Sequence, residues 1–521
     1  MSIIGSNVLA GASGQAGGGY EIERSVRFNS SDSAYLGATF GTPTDQDVFT
    51  LSMWVKRSAL GSTQHLFGVS TNHSFGFTSG DALNLTFGGS SALTTTALFR
   101  DPSAWYHIMW VQNGTAHTLY VNGTSAGTAT ATSNTFNTAV AHQISAGNTA
   151  NFFNGYLAYV HFIDGQAKSP SAFGADDENG TWQPLVYAGG YGNNGFQLEM
   201  DDNSTAAALG TDTSSNGNTW TVNNISVTAG AGNDSLVDSP TNGSQVDTGV
   251  GGEVVGNYCT WNPLYANGTL SNGNLDVSTT TTNATTGTVF ASSGKWYWET
   301  TVTTSSFNRI GIVNLAGAGQ NLGGTANSWA ILQDGQVYTN SSTAAYGPSY
   351  GVNDVISIAL DIDAGKIWYG KNGTWMASGS PSTGANPSQT FTAGQTMAPA
   401  VASGSGTCAY VLNAGARPFA YTAPSGFKAL CTTNLPEGTI TTSGTFTGNA
   451  SADGPFVYLN GVPTAMTINS NAVTFATHAD KLSNGFKLRT SSGSYNTAGS
   501  NTYSITTTGA KFKFARAQPN P

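Results

Sequence analysis

Apolar and polar residues alternate with a period of two in many short stretches of this chain. This period predicts β-strands that bury one face, because successive strand residues point to opposite sides of a sheet. The clearest stretches are FTLSMWVK at 49–56, WYHIMWV at 105–111 and VISIALD at 355–361. Glycines and Asn-Gly pairs separate many of the stretches, and Asn-Gly is typical of tight turns between neighbouring strands. The pattern therefore predicts antiparallel hairpins rather than long helices.

Composition supports the same fold class. Charged residues make up 9% of the 521 residues, against about 25% in ordinary globular chains. Long surface helices need Glu, Lys and Arg on their wet faces, whereas the 66 glycines suit turns between short strands. We predict an all-β chain of tandem antiparallel β-sandwiches with a small C-terminal β domain. The net charge of −10 comes without a basic stripe, which argues against nucleic acid as a partner.

The stretch 351–375 carries the most specific pattern. Ile356, Ile358 and Leu360 alternate with polar or small residues, a turn follows at 363–365, and Asn372-Gly373 predicts a second turn. Together with GKWYWE at 294–299, RIGIV at 309–313 and GQVY at 335–338, this hairpin resembles the SPRY domain family over residues 259–437. The resemblance implies a β-sandwich that binds partners through surface loops and has no catalytic activity.

An earlier part of the chain resembles laminin-G-like, concanavalin-type jelly rolls. The motifs are FTLSMWV, WYHI, LYVNG and GYLAYVHF, within residues 21–168. The resemblance implies glycan or protein binding, often with calcium. Asp32, Asp81 and Asp101 are isolated in the sequence, and calcium needs six to eight oxygen ligands, so we expect no metal and no cofactor. His107 and His161 lie in strand patterns beside aromatic residues, where we expect core histidines rather than metal ligands.

Further motifs resemble a recurrent block of marine bacteriophage virion proteins of the tail-fibre type. They include RFNSSDSAYL at 27–36, NGFQLEMDDNS at 194–204 and DSPTN at 238–242. The interpretation divides the chain into an anchoring arm (1–20), a laminin-G-like sandwich (21–168), a connecting region (169–258), a SPRY-like sandwich (259–437) and a small C-terminal β domain (438–521). It implies a virion protein that is assembled in the host cytoplasm.

The N-terminal arm is small and rich in glycine, and it has no apolar alternation with which to build a core. Its central residues are Gly11, Ala12, Ser13, Gly14 and Gln15. We expect the arm to become ordered when it docks on other virion proteins. The resemblance to fibre-like proteins implies a homo-oligomer, most simply a trimer. We expect no insertion into membranes, because no stretch reaches the roughly 20 apolar residues of a span.

The sequence favours binding over catalysis. It contains no Gly-x-Ser-x-Gly elbow, HExxH motif or P-loop. Asp201 and Asp202 would face opposite sides of a strand, and Asp361 and Asp363 fall where the SPRY family has a structural turn, so neither pair suits glycosidase chemistry. The three cysteines are too few and too scattered for a disulfide framework, and we expect buried thiols. We therefore expect no enzyme.

The resulting hypothesis is a tail-fibre or spike-type adhesin that binds a host surface glycan or protein. The alternatives are a head fibre, a capsid decoration protein or another structural virion protein, and in third place a glycan depolymerase. Aromatic side chains offer flat apolar faces for sugar rings. Those that we expect on loops are Trp329, Tyr346, Tyr350 and Trp375 in the SPRY-like domain, and Trp182, Tyr187 and Tyr191 in the connecting region. The alternative is that each of these rings caps its own sandwich.

Overall fold

A computed structural model describes residues 20–132, 135–177 and 181–436 in full. Outside these ranges it describes the backbone of the strands Ile4–Gly5, Thr439–Gly448, Phe456–Tyr458, Pro463–Ile468, Asn471–Ala472, Ala479–Leu482, Gly485–Leu488 and Gly499–Thr508. The arm residues Gly11, Ala12, Ser13, Gly14 and Gln15 lie outside the described residues. Much of the predicted C-terminal domain also lies outside them.

The described residues form strands joined by short 3-10 turns, which confirms the all-β prediction. Each 3-10 turn has three or four residues, and they are Ser30–Asp32, Pro170–Ala172, Ala207–Gly210, Pro263–Tyr265, Leu315–Gly317, Met376–Ser378, Pro381–Thr383 and Thr432–Asn434. In this part of the chain no helix has the length and apolar character needed to cross a bilayer.

The first sandwich consists of two antiparallel sheets. Its eight-stranded sheet runs in the order Thr124–Thr130, Ala116–Val121, Trp105–Asn113, Val48–Arg57, Gly155–Asp164, Ser25–Phe28 and Ser235–Leu236, and Phe196–Leu198 also pairs with Gly155–Asp164. Its seven-stranded sheet runs in the order Thr221–Asn223, Tyr35–Thr39, Ala141–Ile144, Gln64–Ser70, His73–Phe77, Ala82–Phe87 and Ser90–Leu98. Aromatic rings fill the space between the sheets. Phe49 and Trp110, for example, meet edge to face at 4.8 Å.

The second sandwich is built in the same way. Its nine-stranded sheet runs in the order Thr269–Ser271, Asp276–Thr279, Cys408–Asn413, Lys295–Thr304, Val355–Asp361, Lys366–Lys371 and Thr374–Trp375, with Gln389–Thr390 and Lys428–Ala429 attached at the side. Its six-stranded sheet runs in the order Thr285–Thr286, Met397–Ser403, Asn308–Asn314, Ser328–Leu332, Gln336–Thr339 and Ser342–Ala345.

Several smaller pairings complete the structure. The strands Gly174–Asp176 and Trp182–Pro184 pair with each other, and Ile4–Gly5 pairs in parallel with Val289–Phe290. The C-terminal strands form a four-stranded and a three-stranded antiparallel sheet.

The central strands of both sandwiches are buried on both faces, so the predicted half-buried alternation is wrong for them. Every residue of Gly155–Asp164 is buried. In Val355–Asp361, Ala359 faces away from the main core and packs with Ala423 and Phe427 from the end of the domain. A later segment of the chain covers the outer face of the eight-stranded sheet and another covers that of the nine-stranded sheet, and the local alternation cannot show this cover.

The predicted connecting region is closely joined to both sandwiches. Its strands Phe196–Leu198, Thr221–Asn223 and Ser235–Leu236 extend the sheets of the first sandwich. Asp234 then forms an ion pair with the buried Arg27 at 2.9 Å. The region therefore carries the chain from one sandwich to the other while it remains packed on the first.

The two sandwiches share one continuous apolar core, which includes Trp54 and Tyr156 of the first and Trp261 of the second. The Tyr156 hydroxyl donates to the carbonyl of Gly273 at 2.7 Å. Gly273 has a φ of 68°, and a Cβ there would lie 2.5 Å from that hydroxyl, so only glycine permits the approach.

One buried ammonium group joins the first sandwich to the connecting region, close to the point where the second sandwich begins. Lys56 Nζ lies 2.8 Å from Asp238 Oδ2 and donates to Asn257 Oδ1 at 2.7 Å and to the carbonyl of Tyr258 at 3.2 Å. Both members of the ion pair are 1% exposed. The geometry satisfies the charge of Lys56 completely, because its three protons have three acceptors.

We expect Lys56→Met to destabilise the protein by roughly 3–5 kcal/mol, because it leaves the Asp238 carboxylate buried without its counter-charge. Denaturant unfolding followed by tryptophan fluorescence measures this loss. Adding Asp238→Asn should recover part of it, since an amide carries no charge.

The matched control is Lys295→Met. Lys295 is 41% exposed and pairs with Asp361 at 3.2 Å, and such a surface pair contributes roughly 0–1 kcal/mol. Equal losses in the two variants would contradict the role given to Lys56.

A second prediction concerns acid. Burial lowers the pKa of His107 and His161 to about 3, and that of His65 and His142 to about 4. Because these imidazoles stay neutral in the folded chain but take up protons near pH 6.5 when unfolded, stability is lost as the pH falls from about 6.5 towards 4. Each contributes about 1.4 kcal/mol per pH unit in that window.

The variant His107→Gln should therefore reduce the proton uptake on unfolding between pH 6 and 4.5 by about one proton. The pH dependence of the unfolding free energy measures this number. His73→Gln, at a half-exposed position, is the control. If the unfolding free energy of His107→Gln depends on pH with the same slope as that of the original protein, the His107 imidazole is not held neutral.

Candidate functional site

Trp375 stands at the end of a three-stranded hairpin in the second sandwich. The strands Val355–Asp361, Lys366–Lys371 and Thr374–Trp375 are joined by tight turns. In the second turn Asn372 and Gly373 have φ values of 48° and 80°, which is the left-handed conformation that Asn-Gly adopts readily. The predicted turn is therefore confirmed, and it sets the position of Trp375.

The ring of Trp375 lies over the backbone of Gly370, which has no side chain. Trp375 pairs with Gly370, and a Cβ on Gly370 would lie 3.3 Å from the indole ring. The ring of Tyr297 lies 6.5 Å away at 72°. Trp375 is half-buried, so one part of its ring is packed while the rest remains accessible.

A loop distant in sequence forms the opposite wall. Lys371 Nζ donates to the carbonyl of Ser349 at 2.8 Å and lies 3.0 Å from Asp354. Partial burial opposes the ionisation of Asp354, but the N–H of Gly351, the amide of Asn372 and the ammonium of Lys371 together lower its pKa. Asp354 therefore stays ionised and keeps Lys371 and Asn372 in place.

The backbone beside Trp375 is strained. Ala377 and Ser378 have φ values of 50° and 53°, a region that costs residues with a Cβ about 1–2 kcal/mol each. The side-chain amide of Asn386 donates to the carbonyl of Ser378 at 3.0 Å and supports this conformation. Such strain is found preferentially at functional sites.

These elements enclose a shallow cavity of about 300 Å³, the Trp375 cavity. It is lined by Pro348, Lys371, Asn372, Thr374, Trp375, Met376 and Ala377. None of the lining residues is acidic. The cavity combines an aromatic ring and other apolar groups with the hydroxyl of Thr374 and the ammonium of Lys371, two of whose three protons are engaged by Ser349 and Asp354. This combination suits a small ligand with one apolar face and a few polar groups.

Of the four aromatic residues predicted in this domain, Trp375 alone lines the cavity. The loop assignment of Trp329 is wrong, since Trp329 lies in the strand Ser328–Leu332 and is 6% exposed. Tyr350 is 4% exposed, and its hydroxyl donates to the carbonyl of Ile331 at 3.0 Å. Tyr346 is half-buried against the core, and burial raises its pKa to about 12. Trp329 and Tyr350 pack inside the sandwich and are not free to stack on a sugar, whereas Tyr346 packs against the core and keeps part of its surface exposed.

The second predicted cluster covers the first sandwich instead of forming an open surface. Tyr187 and Tyr191 are buried, and Tyr187 stacks on Phe173 at 5.1 Å. Trp182 is half-buried and stacks on His107 at 5.9 Å. The expectation of loop exposure is wrong for Tyr187 and Tyr191, because they seal the outer face of the eight-stranded sheet. The prediction that His107 and His161 are core residues is confirmed.

A second, smaller depression of about 180 Å³ lies on the seven-stranded sheet. It is lined by Thr63, His65, Ser74, Gly76, Phe77, Thr78, Ser79, Asn84 and Thr86. Most of its polar groups bind one another: Asn84, for example, donates to Thr86 at 2.7 Å and accepts from Thr94 at 2.8 Å. It offers a ligand little unused hydrogen-bonding capacity.

Metal-ligating side chains do not come together in the part of the chain that the structure describes: no group of three or more His, Cys, Asp or Glu could hold an ion there. The buried Asp164 shows why an isolated carboxylate is not a calcium site. Its oxygens accept from the backbone N–H groups of Thr44 and Asn194 and from the side chain of Asn137. The three cysteines are free and buried, as predicted.

Two family models match the chain. Residues 28–172 match the concanavalin A-like lectin/glucanase superfamily model, and residues 295–417 match the SPRY domain model. The chain therefore contains a laminin-G-like, concanavalin-like domain followed by a SPRY domain. Both matches fall inside the two sandwiches, and the Trp375 cavity belongs to the SPRY domain.

Solved structures show more limited likeness. The chain is similar to stonustoxin (20% identity over 30% of this chain and 27% of that one, TM-score 0.24) and to the TRIM65 PSpry domain (17% identity over 30% and 92%, TM-score 0.24). It is also similar to a candidate carbohydrate-binding protein from Bacteroides ovatus (15% identity over 39% and 59%, TM-score 0.29). At these identities and TM-scores the likenesses carry no argument about function.

Sequence reasoning identified Trp375 but missed the rest of its cavity. Met376 and Ala377 follow it directly, so a search of the residues beside the Asn-Gly turn could have found them. No sequence pattern indicated that Pro348 lines the cavity, because the contact between Lys371 and Ser349 that brings Pro348 close exists only in the folded chain.

Proposed function

We propose that this chain is a non-enzymatic recognition protein of a bacteriophage virion, a tail-fibre or spike-type adhesin that binds host surface glycans through the Trp375 cavity. The presence of a concanavalin-like and a SPRY domain supports binding or adhesion in general. The observation that carries the finer proposal is the accessible part of the Trp375 ring, beside the hydroxyl of Thr374 in a cavity of about 300 Å³.

The composition of the cavity favours binding over hydrolysis. A glycosidase needs two carboxyl groups on opposite sides of the scissile bond, and none of the residues that line the cavity has one. The one carboxylate beside it, Asp354, is engaged by Lys371, Asn372 and the N–H of Gly351. The bacteriophage origin rests on the motifs at 27–36, 194–204 and 238–242.

We expect Trp375→Leu to weaken binding of the purified protein to host cells or to their isolated glycans by at least about tenfold, which corresponds to about 1.4 kcal/mol. Leucine keeps apolar bulk over Gly370 but loses the flat ring that a sugar face needs. Titration of immobilised host glycan measures the affinity, and the melting temperature should change by only a few degrees.

The matched control is Leu315→Ala, which removes an exposed apolar side chain from the same domain. Its binding should equal that of the original protein. Full binding by Trp375→Leu would exclude the cavity as the receptor site, and equal weakening in both variants would indicate non-specific adsorption.

The arm at residues 1–20 is proposed to join the protein, as a homo-oligomer and most simply a trimer, to other virion proteins. Deletion of residues 2–19 should leave a folded chain that binds glycans but is not incorporated into particles. Immunolabelling of purified virions measures incorporation and also locates the protein. Normal incorporation would contradict the anchor, and a label on the capsid lattice would favour a decoration protein.

A further inference from the structure

The strand Ser342–Ala345 forms an open edge of the six-stranded sheet in the SPRY domain. It pairs on one side with Gln336–Thr339, and on its other side no strand of the described residues lies beside it. All four of its residues are exposed. Such an edge can accept a further strand, because its outward backbone groups are unpaired within the sheet.

The hairpin geometry identifies those outward groups. Asn340 and Ser341, with φ values of 47° and 59°, form a two-residue turn, so Thr339 and Ser342 make the first hydrogen-bonded pair. Hydrogen-bonded pairs then recur at every second residue, and the bond from Tyr346 N to the carbonyl of Gly335 agrees with this alternation. Thr343 and Ala345 therefore direct their N–H and C=O groups away from the sheet.

Natural edge strands are usually protected against pairing by lysine, proline, a bulge or extreme shortness. The sequence Ser-Thr-Ala-Ala has no charge and no proline, and its register with Gln336–Thr339 is regular. Other edges of the two sandwiches differ. The strand Thr124–Thr130 has a register shift against its neighbour, and Thr374–Trp375 has only two residues.

We propose that this edge pairs with the same edge of a second copy of the chain, antiparallel and about a two-fold axis. In that register Thr343 of each copy lies opposite Ala345 of the other, and four backbone hydrogen bonds form. A foreign peptide would need side-chain pockets for specificity, and this strand offers only Ser, Thr and Ala. Self-pairing needs small, uncharged side chains that can face identical ones, as in an isologous contact.

The free energy of this edge pairing determines whether free copies associate or only copies that are already held together. Four backbone hydrogen bonds replace bonds to water and contribute little net free energy, whereas association of two free molecules is costly. We expect a dissociation constant of about 1 mM or weaker for free copies. Pairing becomes effective where several copies are held side by side, as in a multi-copy assembly. High salt should strengthen it, because each copy carries a net charge of −10.

A cysteine at the two-fold axis tests the proposal in the full-length chain. In the proposed register Ala344 faces Ala344 of the second copy, so Ala344→Cys should give a disulfide-linked dimer under mild oxidation. The native Cys259, Cys408 and Cys431 are buried and should not compete. Ser125→Cys, exposed on another edge strand, is the matched control and should give several-fold less dimer.

Adding Thr343→Pro to Ala344→Cys should abolish the dimer, because proline removes an outward N–H that the hairpin itself does not use. Thr343→Lys should also reduce dimer formation by repulsion, and it retains the N–H if proline disturbs the fold. Equal trapping by Ala344→Cys and Ser125→Cys, or trapping that survives both changes at Thr343, would overturn the proposal.

Discussion

The buried ion pair between Lys56 and Asp238 is the interaction on which the arrangement of this protein depends. A lysine on a central strand of the first sandwich points away from its own core and is satisfied by Asp238, Asn257 and Tyr258 of the connecting region. A buried charge is tolerated only when every proton has an acceptor. The end of the connecting region is therefore held in one geometry on the first sandwich, and Tyr258 at this end belongs to the continuous apolar core that the two sandwiches share.

Segments that are distant in sequence also bury the outer faces of the eight-stranded and nine-stranded sheets. Phe173, Tyr187 and Tyr191 seal the first sandwich, and Ala423 and Phe427 seal the second. This cover helps to exclude water from His107 and His161, and burial lowers the pKa of both. It also turns candidate binding aromatics into packing residues. Of the aromatic residues predicted to bind a ligand, Trp375 is the one that lines the cavity.

Prediction from the sequence succeeded where the signal was local. The turn at Asn372-Gly373 follows from residue types that favour its conformation. It failed for Trp329 and Tyr350, because an aromatic residue near a turn can point either into the core or out of it. The identity of the residue is the same in both cases, and only the packed neighbours decide between them.

By itself, the amino-acid sequence determined the fold class, the two sandwich domains and the position of the hairpin that carries Trp375. These depend on the alternation of apolar and polar residues, on turn residues and on the low content of charged residues. All three can be read from the sequence without knowledge of the packing. Tertiary structure alone decided which rings are buried, how Lys371 joins the loop at Ser349 to the hairpin, and that Ser342–Ala345 remains an open edge. Those outcomes depend on contacts between residues far apart in the sequence, and no local pattern records them.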